Sequence, residues 1–220
     1  MSGWVEQLER ERRRYEDGVA RLPEATDERQ RQVTRLGNAA YGAGLCALMQ
    51  GDAAGAGEWL ARAADRYRES YADAPPGSWG RLIGTMKSHI LAGDWPAAEQ
   101  AARWALDEGA ARAESPIGLY AAALALLTLS DWDDARVPAD EIRSRDGFPA
   151  DVGDALAAIA ADDPVAYVES IESVLTSFET REEYLEDIAV ADTVVVLQAL
   201  AARRGLPPAD LASDLLPDSP

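Results

Sequence analysis

One histidine and one cysteine set narrow limits on the chemistry open to this 220-residue chain. His89 is the only imidazole, so a His-based triad could use no other residue, and a Cys/His metal cluster cannot be assembled. His89 lies beside the apolar stripe of Leu82, Met86 and Ile90 and reads as a structural, partly buried side chain. Cys46, between Leu45 and Ala47, reads as a small core hydrophobe. The glycines between Gly51 and Gly57 do not make a phosphate loop, because Asp52 and Glu58 would repel phosphate and no lysine follows. The carboxylate pairs Asp133-Asp134, Asp162-Asp163 and Glu182-Glu183 all fall where helices should begin, and there they complement the helix dipole. No catalytic, cofactor-binding or metal-binding residue is assigned, and a non-enzyme is expected. Three residues remain as candidates for partner binding. Trp95 and Trp132 occupy equivalent positions in successive repeats, where they either fill the groove between hairpins or, if half-exposed, anchor an interface. Asp192 interrupts the apolar stretch from Ile188 to Leu200, so it is either a cap at a helix break, one half of an ion pair, or a partner contact.

The elements that position these residues are announced by a recurring turn. Four times a small residue is followed by Asp, three residues and Ala: Gly51-Asp52 to Ala56, Gly93-Asp94 to Ala98, Ser130-Asp131 to Ala135, and Ala161-Asp162 to Ala166. Successive copies start 42, 37 and 31 residues apart. The small residue ends one helix tightly, Asp caps the next, and Ala lets the two antiparallel helices approach closely. That is the grammar of a helical-hairpin repeat.

About ten helices follow from the apolar spacing. The first, with Trp4, Val5, Leu8, Tyr15, Val19 and Leu22 inward, should turn the charge run Glu9 to Arg14 to solvent. Ser78, Asp94 and Asp131 are the expected caps of the fourth, fifth and seventh helices. Ser115-Pro116 and Asp163-Pro164 start the sixth and ninth. Pro138 should kink or cut the seventh. Thr180 and Glu183 form a capping box for one long last helix ending at Arg203-Arg204-Gly205. No segment alternates with period two, so the fold class is all-α.

Charge narrows the partners. The net charge is −18 and Lys87 is the only lysine. Such a surface opposes nucleic acid and anionic lipid, both of which demand clustered cations. Scarce lysine with abundant Ala, Arg, Asp and Glu resembles proteins of extremely halophilic archaea, and a basic partner is the alternative explanation. No apolar run reaches the length of a membrane span, no signal core begins the chain, and a cytoplasmic location is expected.

Two family resemblances add to this. Leu91-Ala92-Gly93-Asp94-Trp95-Pro96-Ala97-Ala98 and Leu129-Ser130-Asp131-Trp132 resemble the hairpin turns of tetratricopeptide repeats, although the spacing here is not that family's constant 34. The resemblance implies a tetratricopeptide-like array over residues 26–178, flanked by an N-terminal helix (1–25) and a C-terminal helix and tail (179–220), within a single domain of residues 1–220. A second set of segments is Glu186-Asp187-Ile188-Ala189-Val190, Arg203-Arg204-Gly205-Leu206-Pro207 and Leu215-Leu216-Pro217. Together with the order of helices, these resemble the immunity protein 49 family. That implies an antidote that neutralises the toxin of a polymorphic toxin system by binding it, with no catalytic motif and no cofactor. A general scaffold holding a peptide or protein tail is the alternative.

Overall fold

The structure is a computed structural model, and residues 2–218 are described. Ten α-helices follow in order: α1 (Ser2–Ala20), α2 (Thr26–Met49), α3 (Ala53–Tyr71), α4 (Trp79–Leu91), α5 (Trp95–Asp107), α6 (Pro116–Thr128), α7 (Trp132–Arg143), α8 (Ala150–Ala161), α9 (Pro164–Glu179) and α10 (Asp192–Arg204). Short 3₁₀ turns lie at Ala110–Arg112 and Leu185–Asp187, and no strand occurs among the described residues. The all-α array of antiparallel hairpins is therefore observed.

The four tight turns share one geometry. Gly51, Gly93, Ser130 and Asp162 adopt left-handed φ values of 72°, 69°, 64° and 59°. The N–H of the following residue, Asp52, Asp94, Asp131 or Asp163, donates back to the carbonyl five residues earlier at 2.9–3.0 Å. This is the Schellman closure, which satisfies carbonyls a helix end would otherwise strand. The fourth turn therefore lies one residue later than the sequence repeat suggests. Its left-handed residue is Asp162 and its cap is Asp163, which accepts from the N–H groups of Val165 and Ala166 at 3.1 and 3.0 Å. The position matching Ala56, Ala98 and Ala135 is consequently Tyr167, and all four are buried. The Asp163-Pro164 helix start is as expected.

Other local expectations are corrected. The last helix is not one long stretch from Thr180: Thr180 ends α9, the chain runs irregularly through 182–191, and α10 begins at Asp192. Two acidic residues with φ of 56°, Glu186 and Asp187, explain the break, since that backbone cannot continue a right-handed helix. Pro138 does not cut the helix: it lies inside a continuous α7, where its missing N–H forgoes one intrahelical hydrogen bond. The Ser78 hydroxyl does not cap α4 but donates to the carbonyl of Pro75 at 2.6 Å. Asp131 precedes α7 without a side-chain capping bond.

The helices pack as two compact units. The first comprises residues up to Asp94, the segment 182–190 and the tail from Asp214; the second comprises Trp95–Arg181 and Ala191–Ser213. In the first, α2 is the central element, packed against α1 and α3, with α4 on α3. Tyr67 shows how closely they approach. A Cβ on Gly37 of α2 or Gly84 of α4 would lie 2.8 or 2.7 Å from its ring, so glycine is required on both faces. In the second, α5 to α9 pack each on the next and α10 lies against α8 and α9.

Candidate functional site

Among the residues singled out by sequence, Trp95 and Trp132 come together with two arginines. Each Trp is the first residue of its helix, immediately after the turn aspartate, and each is half-buried. α10 ends at Arg203-Arg204, and these side chains cover the two indoles. The Arg203 guanidinium lies 4.6 Å from the centre of the Trp95 ring, and that of Arg204 lies 4.9 Å from that of Trp132. Arginine suits this role because its flat, weakly hydrated fork stacks on an aromatic face while its edges still donate hydrogen bonds. Arg203 also binds the Glu99 carboxylate and donates to the Ser130 hydroxyl at 3.3 Å. The Arg203 hydrogen bond, reinforced by Arg103, holds Glu99 below the usual carboxylate range. Arg204 lies 3.8 Å from Asp162, the left-handed residue of the fourth turn. One edge of this unit thus presents two stacked Trp–Arg pairs, each tied to a hairpin turn.

Asp192 is elsewhere. It is the first residue of α10, where its charge favours the helix dipole, and it accepts from the Thr193 hydroxyl at 3.4 Å. Arg203 is eleven residues on, roughly 16 Å along the same helix, so Asp192 does not join the Trp–Arg edge. The chain breaks before α10, but Asp192 is not its cap: the cap position is Ala191, and no side chain caps this helix start.

A second polar assembly, in the first unit, was not anticipated. The Glu9 to Arg14 run is not simply solvated. Glu11 is fully buried, and its carboxylate pairs with Arg10 at 2.9 Å and Arg14 at 2.7 Å. Arg14 also pairs with Glu186, Arg10 donates to the Glu186 carbonyl at 2.6 Å, and Asn38 donates to the Glu186 carboxylate at 3.0 Å. The Tyr67 hydroxyl completes the chain by donating to Asn38 at 3.0 Å. Burial lowers the affinity of Arg14 for its proton, but hydrogen bonds to Glu186 and Glu11 outweigh this and raise it. These charges hold 182–190 against α1 and α2. The signal was present in the sequence: Trp4, Leu8, Glu11 and Tyr15 fall on one helical stripe, and Glu11 is its single charged member.

The remaining titratable candidates are structural. Burial pushes the Cys46 thiol up to about 12 and lowers His89, which is half-buried with Asp94 and Asp65 opposing that shift. Among the described residues no group of three or more His, Cys, Asp or Glu is placed to hold a metal, and no helix is long and apolar enough to cross a membrane. A groove of about 430 Å³ runs over α7, α8 and α9, with alanines 157, 158, 161 and 166 in its lining. Arg143 neutralises Asp154 at 2.5 Å and Asp140 at 3.4 Å within it.

The class that the fold and these sites define is an all-α helical-hairpin array with an aromatic–arginine edge. No family model matches the chain, and neither curated proteins nor solved structures give a match.

Proposed function

We propose that this protein is a non-catalytic protein-binding array, an antidote that neutralises the toxin of a polymorphic toxin system by binding it directly. The observation that carries the reading is the edge formed by Trp95, Trp132, Arg203 and Arg204. Trp and Arg are the residue types most enriched at interface hot spots, where a flat half-buried ring offers contact area with little entropy to lose. Here both rings are half-buried and preorganised by rigid helix starts, so a partner gains their area without ordering them. The chain's net charge of −18 would steer a basic toxin toward the encounter. The same charge suits a cytoplasm rich in salt, where acidic side chains keep a surface hydrated.

The direct experiment is co-expression of the chain with each toxin encoded beside its gene. Restored growth with one of them is expected; failure with every neighbouring toxin would end the antidote reading. The α7–α9 groove favours a second reading, a scaffold for a peptide. Arg136, Asp163 and Glu169 line it and make no ion pair among the described residues, leaving charges of both signs for a ligand. A soluble peptide library that binds the purified chain, with displacement by an alanine-to-leucine change at Ala157, would support the scaffold.

A further inference from the structure

The first 35 residues hold eight arginines and eight acidic residues, so the entire charge of −18 resides in the rest of the chain. α1 and α2 enclose a groove of about 340 Å³ within this neutral region, lined by Arg14, Arg21, Arg35, Asp17, Gln32 and Leu36. Arg14 is already committed to Glu11 and Glu186. The other two are not comparably occupied. Arg35 makes no ion pair among the described residues, and Arg21 reaches only Asp17 at 3.4 Å, both side chains being at least 70% exposed. Such an exposed pair is weak and readily exchanged for a better anion.

The groove is shaped by a missing side chain. A Cβ on Gly18 would lie 2.6 Å from Leu36 Cδ2 and 2.8 Å from Gln32 Nε2. Glycine thus lets Gln32 and Leu36 lie directly against α1, between Arg14 and Arg21 one turn to either side. The result is an amide donor and an apolar floor in a groove that Arg21 and Arg35 also line.

We propose that this groove binds the phosphate group of a small phosphomonoester between Arg21 and Arg35, independently of the partner-binding edge. Arg35, unpaired among the described residues, and Arg21, held only by its weak exposed pair with Asp17, match the −1.5 to −2 charge of a phosphate ester near neutral pH better than the single charge of a carboxylate. The volume corresponds to on the order of ten waters at about 30 Å³ each, more than a bare ion fills. Leu36 and Ala39, both buried, close the floor of the groove.

The test is calorimetric titration of the full chain at a fixed ionic strength of about 0.15 M, where screening leaves only short-range attraction. The probes are phenyl phosphate, inorganic phosphate and benzoate. Phenyl phosphate should bind saturably and most tightly. Arg21→Ala and Arg35→Ala should each weaken it about tenfold or more, because each removes a charge-assisted contact. Arg12→Ala/Arg13→Ala, on the same helix but outside the groove, should leave it unchanged. Circular dichroism of the four proteins should be identical, since all four arginines are exposed. The proposal is overturned if phenyl phosphate gives no saturable heat, if benzoate or inorganic phosphate binds as tightly, or if the Arg21 and Arg35 variants match the wild type.

Discussion

Glu186 is where the structure makes its sharpest energetic statement. This residue sits at φ 56°, a conformation that costs a non-glycine residue about 1–2 kcal/mol, and stays there because its carboxylate is held by Arg14 and Asn38. Removing the carboxylate and keeping the Cβ separates the two effects. In Glu186→Ala the Asn38 bond, worth about 1.5 kcal/mol as a contact to a charged acceptor, is lost. The Arg14 pair contributes less, about 1 kcal/mol, because Arg14 is 42% exposed while Glu186 is 16% exposed. The alanine variant should therefore lose about 2.5 kcal/mol. Glu186→Gly loses the same contacts but relieves the left-handed strain, and after the greater chain entropy of glycine it should recover about 0.5–1 kcal/mol. Native-state hydrogen exchange of amides in α1 and α2 is the assay, since both helices carry the network and belong to the same unit as Glu186. An alanine variant within about 0.5 kcal/mol of the wild type would refute the reasoning. A glycine variant less stable than the alanine one would refute it equally.

Three further outcomes are expected. Tyr167 has a buried hydroxyl with no hydrogen-bond partner among the described residues, so Tyr167→Phe should stabilise the protein by about 1 kcal/mol in urea titration. Burial raises this phenol to about 12 from an ordinary 10, so the folded state holds the proton more tightly. Its share of stability is present below pH 10 and lost between pH 10 and about 12, and the phenylalanine variant should lack that component of alkaline loss. Gly51→Ala and Gly93→Ala should each destabilise by about 1 kcal/mol for backbone reasons alone, since a Cβ at either position meets no atom within 4 Å; thermal melts showing no change would contradict this. With a charge of −18, transfer from molar salt to about 0.01 M salt lengthens the screening distance from about 3 to about 30 Å, and the helical circular-dichroism signal should weaken.

Fold was far more legible in the sequence than the sites were, and particular residues show why. The hairpin turns were readable because Gly51-Asp52 and Gly93-Asp94 carry the two residue types their backbone demands, a left-handed position and a cap. Where other residues fill those roles the register slipped. Asp162 occupies the left-handed position and Asp163 the cap, so the pattern matched one residue early. The α9–α10 break was hidden because Thr180 and Glu183 mimic a capping box, whereas the break includes two left-handed residues, Glu186 and Asp187, of which Glu186 is held by contacts distant in sequence. The Trp positions were legible from repeat spacing. Their arginine covers were not, since Arg203-Arg204 reads equally as two cations completing the last turn of a helix. Glu11 was legible in principle from its place on the apolar stripe; its neighbours in the charged run Glu9 to Arg14 masked it.

The measurement that bears most directly on the central claim compares the affinity of the wild type and of the Trp95→Ser/Trp132→Ser variant for whichever neighbouring toxin the co-expression experiment identifies as the proposed partner. Both proteins should first show the same helical content by circular dichroism. Each truncated hot-spot residue weakens binding by at least about 1–2 kcal/mol, so the double change should raise Kd roughly 30-fold or more. A variant that binds and rescues growth within twofold of the wild type would show that the Trp–Arg edge is not the recognition surface.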